Sequence, residues 1–293
     1  MGEQLKYILL AVAAFGMWGL FPVYFKLIET IPATEIMAHR IVWSLVFIVL
    51  FMWLFKRRFA LRKIWQSKKL LGGLVLSSIM IAINWSLYVW AVVHGQVLST
   101  SLGYFINPII SVFLGMIFLG ERLSFKRVIA LLLVILAVIN LIVQAGQFPW
   151  LSLTLAFSFA FYGLIRKQLE IDSLNGLLFE IIILIPIALG YLMWLTYKQN
   201  LAFGSQGLGF DLLIMLSGVI TLLPLVLFAA SLKGINLSTV AFIQYLAPTL
   251  SFILAVFIYD EPFDQARLIS FVLIWTALAL ISFDVWRRLS REA

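Results

Sequence analysis

The stretch Ile129–Ile142, IALLLVILAVINLI, is apolar at every position except Asn140 and nowhere alternates polar with apolar residues. Such a segment is neither a half-buried strand nor a surface helix with one wet face, because it demands an apolar surround on every side. Nine further stretches share its character, so the sequence predicts ten helices, near 6–28, 36–55, 70–92, 99–119, 126–143, 148–166, 176–197, 211–232, 237–259 and 267–286. About 20 apolar residues cross a bilayer as a helix, which is the length these stretches offer. A membrane β-barrel would show alternating segments of about 10 residues instead. The fold class expected is therefore an all-α integral membrane protein of ten transmembrane helices. The first stretch is expected to be retained, since it is longer than a secretory leader and no small-residue cleavage site precedes the next helix.

Only 12% of the residues are charged, about half the share found in soluble domains. The net charge of +8 would make nucleic acid a candidate partner of a soluble protein, but the placement of the cations argues for topology instead. With the N-terminus in the cytoplasm, Lys6, seven residues of the second connection (Lys56, Arg57, Arg58, Arg62, Lys63, Lys68, Lys69), then Arg122, Lys126, Arg127, Arg166, Lys167, Lys233, Arg287, Arg288 and Arg291 all fall on one side. Only Lys26, Arg40, Lys198 and Arg267 of the 21 remain elsewhere. Cytoplasmic loops carry such an excess, so both termini are expected in the cytoplasm. There is no cysteine, hence no disulfide and no thiolate metal site. No glycine-rich loop followed by Lys-Ser/Thr is present to cradle nucleotide phosphates, and neither metal nor cofactor is expected.

The chain repeats itself. At an offset of 140, Pro108 falls on Pro248, Ser111 on Ser251, Leu114 on Leu254 and Glu121 on Glu261. Residues 1–147 and 148–293 thus form two five-helix halves. Because five is odd, the second half enters the membrane from the opposite side, so the copies are inverted. Proline frees a backbone carbonyl one turn earlier, and free backbone at membrane depth must be buried in protein or line a wet cavity. Five mid-span prolines (Pro22, Pro108, Pro186, Pro224, Pro248) point to a central cavity, with the matched Pro108 and Pro248 as candidate gates. The proline-free helices near 126–143 and 267–286 are expected at the periphery or at an oligomer contact.

The segments WGLFPVYFKLI, HRIVWS, NWSLYVWAV, SLGYFINP, AFSFAFYGLIRK and QYLAPTL, in this order along essentially the whole chain, resemble the EamA family of the drug/metabolite transporter superfamily, most closely its RarD-like branch. The resemblance implies ten helices, cytoplasmic termini, a cavity between the halves and gradient-driven movement of small organic molecules, such as amino acids, other metabolites or drugs, across a bacterial inner membrane.

A charge inside a span costs about 2.5–3.5 kcal/mol on insertion scales, so each is a functional candidate. Arg40 is a candidate anchor for a substrate carboxylate, with His39 or Glu180 as the group whose protonation alternates. The alternative pairs Arg40 with Glu35 or Glu29 and Glu180 with Lys167. Uncharged candidates for substrate contact are Asn84, Tyr104, Asn107, Gln244 and Tyr245, with Trp18, Trp85, Tyr88, Trp90 and Tyr162 as aromatic faces. His94, in an outer turn, is expected in solvent. The function expected is secondary transport of small organic solutes by alternating access, proton-coupled, in a membrane whose lipids and whose substrate are the partners. A facilitator or channel and, less well supported, a membrane enzyme stand as alternatives.

Overall fold

Helices begin and end where the polar breaks fall. The computed structural model describes residues 2–93, 97–145, 148–258 and 265–289; His94 and Glu261 lie outside them. The described residues form thirteen helices and no strand: α1 (Gly2–Gly19), α2 (Phe21–Leu27), α3 (Ala33–Leu54), α4 (Leu61–Gln66), α5 (Lys68–Val93), α6 (Val97–Leu119), α7 (Phe125–Ala145), α8 (Trp150–Gln168), α9 (Ser173–Tyr197), α10 (Leu208–Ser231), α11 (Leu237–Gln244), α12 (Leu246–Phe257) and α13 (Gln265–Leu289). Eight segments among them are long and apolar enough to cross a membrane, two of these being composites, Gln4–Leu27 and Leu237–Leu254. The chain is a multi-pass membrane protein.

Ten apolar stretches were expected, and the two that fall outside the eight are α8 and α13. α13 is apolar over Leu268–Ile281, the part of this helix whose side chains are described. The sequence of α8 is diluted by Ser152, Thr154, Ser158, Tyr162 and Gly163, because α8 is packed between α5 and α6 rather than against lipid. Its polar groups meet neighbours there: Asn84 Nδ2 donates to Leu155 O (2.9 Å) and Ser158 Oγ (3.1 Å), and Asn107 Nδ2 to Ala156 O (2.6 Å).

Proline acts unevenly. α11 ends at Gln244, the residue whose carbonyl Pro248 deprives of a donor, and α12 resumes at Leu246. α1 likewise stops at Gly19, just ahead of Pro22, which sits in the first turn of α2. By contrast α6 runs unbroken through Pro108, α9 through Pro186 and α10 through Pro224. The expected interruption at Pro108 is thus absent from the described helix.

Four helix starts recur at a constant separation: Ala33 and Ser173, Lys68 and Leu208, Val97 and Leu237, Phe125 and Gln265 each stand 140 residues apart. Packing partners recur as well. α3 lies on α10 as α9 lies on α5, α6 lies on α8 as α11 and α12 lie on α1, and α7 packs with α13. Between α3 and α10 the approach is very close: a Cβ on Gly218 would stand 2.4 Å from the Trp43 carbonyl carbon. Glycine there lets Ser44 Oγ donate to Gly218 O at 3.1 Å, and it fixes the register that brings Arg40 to α10.

Candidate functional site

Arg40 lies on the third turn of α3, about 10 Å from its start at 1.5 Å per residue. Its side chain is buried. Nε donates to Thr221 Oγ1 of α10 at 2.7 Å and Nη1 points to Met37 Sδ at 3.1 Å. Three rings surround the guanidinium: Trp85 at 5.6 Å, Phe25 at 5.7 Å and Phe21 at 6.0 Å from Cζ to ring centroid. Phe21 and Phe25 stand one turn apart on α2, the short helix separated from α1 ahead of Pro22, and pack edge to face. Tyr24, Tyr88 and Tyr104 complete the surround at electrostatic range. The Tyr88 and Tyr104 rings lie 6.1 Å apart. Tyr104 is 43% exposed although Gly103, Phe105, Ile106 and Asn107 around it are buried.

No described carboxylate comes within 4.0 Å of Arg40. Neither acid expected as its alternative partner, Glu35 or Glu29, is paired with it: Glu35 Oε1 accepts from Ala202 N at 2.7 Å and faces His39 Nε2 at 3.6 Å. His39 in turn packs its ring on Phe203. Both residues therefore tie the 198–207 connection to α3. A buried cation held by a hydroxyl, a thioether and ring faces is incompletely neutralised, and an anion entering beside Tyr104 would meet the planar Nη1/Nη2 edge, which suits a carboxylate.

Glu180, 140 residues after Arg40, lies at the corresponding depth of α9. Oε1 accepts from Ser77 Oγ at 2.6 Å, Oε2 from Tyr162 Oη at 3.2 Å, and Arg166 Nη1 stands 3.5 Å from Oε1. All four side chains are buried. Lys167, the partner considered from sequence, instead donates to the carbonyls of Leu232 (2.9 Å) and Ile235 (2.5 Å). Room for Arg166 comes from Gly176, where a Cβ would fall 1.8 Å from Nη1.

Of the other candidates, Tyr88 and Tyr104 join the Arg40 surround and Tyr162 joins Glu180. Asn84 and Asn107 bond α8 as described, and Tyr245 Oη donates to Phe105 O at 2.9 Å. Trp18 packs with Phe15, Phe159 and Phe228. Gln244 is buried at the end of α11. Trp85, another of the expected aromatic faces, joins the Arg40 surround, whereas sequence reasoning missed Phe21, Phe25 and Thr221. It also missed Glu121, whose carboxylate accepts from Leu237 N (2.6 Å), Ser238 N (2.9 Å) and Ser238 Oγ (2.6 Å) at the start of α11.

The chain matches the EamA-like transporter family over residues 5–143 and again over 149–283. It belongs to the EamA-like transporter family. Relatives of this family member are similar over nearly their whole length. Identity is 43% over 300 aligned positions with the uncharacterized transporter YojE of Bacillus subtilis (strain 168), covering 99% of this chain and 98% of that protein. It is 40% over 277 with protein RarD of Escherichia coli (strain K12), covering 94% of each. It is 31% over 290 with the chloramphenicol-sensitive protein RarD of Pseudomonas aeruginosa, covering 98% and 96%. A solved crystal structure shares the fold, with a TM-score of 0.71 at 15% identity over 94% of this chain and 96% of that one.

Proposed function

We propose that this EamA-like protein is a secondary transporter of small organic solutes bearing a carboxylate and an apolar or aromatic body, with Arg40 as the anchor and Phe21, Phe25, Trp85, Tyr88 and Tyr104 as the surround. The observation that carries the reading is Arg40 itself, buried, ringed by aromatics and without a carboxylate partner among the described residues. Pro108 adds an acceptor beside the Tyr104 ring, since it leaves the Tyr104 carbonyl without its helical N–H.

Alternating access follows from an inverted-repeat reading, in which residues 1–147 and 148–293 are ten spans in two opposed halves. The recurrence of helix starts and packing partners at 140 residues, and two separate matches to one family, support it. Opposed halves exchange conformations, opening a shared site to one side and then the other. Pro108 and Pro248 serve as hinges, the second already marking the α11–α12 break. Glu180, held by Ser77, Tyr162 and Arg166, is the proton-coupling group in preference to His39, which is bound into the connection after α9. The excess of basic residues at one end supports cytoplasmic termini in a bacterial inner membrane.

Reconstitution tests the proposal. Liposomes containing the protein and a pH-sensitive dye are offered indole-3-propionate or its neutral amide, and solute uptake and proton movement are read together. Carboxylate uptake with proton movement in the wild type, loss of uptake in Arg40→Met, and uptake without proton movement in the Arg166→Met/Glu180→Gln double variant are expected. Equal uptake of acid and amide by wild type and Arg40→Met contradicts the anchor. Uptake without proton movement in the wild type identifies an uncoupled facilitator.

A further inference from the structure

The connection between α3 and α5 is unlike any other. It holds five cations, Lys68 and Lys69 follow at once in the first turn of α5, and no Asp or Glu occurs between Glu35 and Glu121. The other connections at this end of the bundle hold no more than three cations each, so orientation alone does not require this density. The cations are also not spread along a free loop. Asn175 at the start of α9 accepts from Ala60 N at 2.7 Å and donates to Arg58 O at 3.0 Å, which pins the connection to the bundle. Immediately before that clamp, Lys56 takes the left-handed conformation at φ 49° and Arg57 N bonds Met52 O at 2.8 Å. The chain thereby folds back on the end of α3.

This fold-back encloses a groove of about 500 Å³ lined by Met52, Trp53, Leu54, Lys56, Arg57 and Phe59. One wall is cationic. The other is apolar and open, with Trp53 70% and Phe59 49% exposed. α3 is a membrane-crossing helix that ends at Leu54, so the groove sits at the boundary between acyl chains and water, where Trp is a preferred residue. We infer that the groove is a binding site for one anionic phospholipid, whose phosphodiester is held by Lys56 and Arg57 and whose acyl chains lie along Trp53 and Leu54. Free inorganic phosphate would satisfy the cations but leave the exposed rings uncovered, so the lipid is the occupant that fits both walls. Attraction of clustered Lys and Arg to acidic lipid is a general effect; a pinned groove makes it a site.

Native mass spectrometry of the purified protein, delipidated and then offered equal phosphatidylglycerol and phosphatidylcholine, tests this without reference to transport or orientation. Wild type should retain phosphatidylglycerol preferentially. Lys56→Gln/Arg57→Gln should lower that retention by about thirtyfold, while Lys68→Gln/Lys69→Gln, which removes the same charge outside the groove, should leave it unchanged. Trp53→Ala should weaken retention with both cations in place. Equal losses in the two double variants would reduce the effect to non-specific attraction and overturn the proposal, as would equal retention of the two lipids by wild type. Competition by millimolar inorganic phosphate that empties the site while Trp53→Ala changes nothing would assign it to free anions instead.

Discussion

Replacing Glu180 by Gln keeps the shape of the side chain and removes its charge. Arg166, with its side chain 1% exposed, then stands in the interior with a single bond, Nη2 to Ser173 O at 3.2 Å. Breaking one partner of a buried ion pair costs about 3–5 kcal/mol. Gln keeps the bond from Ser77, and Arg166 keeps Ser173, so the lower end, about 3 kcal/mol, applies. Arg166→Met in the same background removes the orphaned cation and fills the space beside Gly176, and apolar replacement of a whole buried pair is close to neutral. The double variant should therefore return to within about 1 kcal/mol of wild type, about 2–3 kcal/mol more stable than Glu180→Gln alone. Equilibrium unfolding in mixed micelles of increasing SDS fraction, followed by tryptophan fluorescence, measures all four corners of the cycle. Glu180→Gln as stable as wild type, or a double variant no better than Glu180→Gln, would refute the reasoning.

Glycine substitutions should divide by what the added carbon meets. Gly218→Ala drives a Cβ into the Trp43 backbone and should destabilise by about 2–4 kcal/mol, whereas Gly190→Ala, with nothing within 4 Å in α9, should stabilise by up to about 1 kcal/mol; the same unfolding titration reads both. Glu121→Ala removes the cap at the start of α11 and should cost about 1–2 kcal/mol. Because the natural chain has no cysteine, single-cysteine labelling at position 238 gives a clean readout, and labelling should quicken when Glu121 is replaced. Burial, then the charges of Arg166 and Lys167, lower Lys233 from its ordinary 10.5 to about 8. A depressed lysine penalises the protonated folded state, so the stability of wild type relative to Lys233→Met should be lowest below pH 8 and should rise between pH 8 and 10.5.

Much of the fold is legible because lipid imposes simple rules. Charged breaks such as Lys56–Lys69 and Glu170–Asp172 bound continuous apolar runs, and the 140-residue repeat of Pro108 and Glu121 is visible without coordinates. Apolarity alone misjudges α8, since a helix enclosed by other helices can carry Ser158 and Tyr162 at no loss once Asn84 and Glu180 answer them. Proline gives a necessary signal rather than a sufficient one: Gln244 and Gly19 end helices near Pro248 and Pro22, while Pro108 is absorbed inside α6. Among site residues, Arg40 stood out because few charges occur inside spans. Trp85, Tyr88 and Tyr104 of its surround are legible as aromatic residues at membrane depth, but Phe21 and Phe25 escape notice, although their one-turn spacing beside Pro22 carries a signal. Asn84, Asn107 and Tyr245 looked equally available for substrate, yet each is committed to a backbone carbonyl across a helix interface, which residue type and spacing do not disclose.

Direct binding to Arg40 tests the central claim most simply. Isothermal titration of detergent-solubilised protein with indole-3-propionate and with its amide compares two ligands that differ in charge and little else. A hydrogen-bonded charge contact is worth about 1.5–3 kcal/mol, so wild type should bind the acid about 10- to 100-fold more tightly than the amide, and Arg40→Met should bind the two equally. Preference for the acid that survives in Arg40→Met would contradict the account and move the anionic subsite away from this arginine.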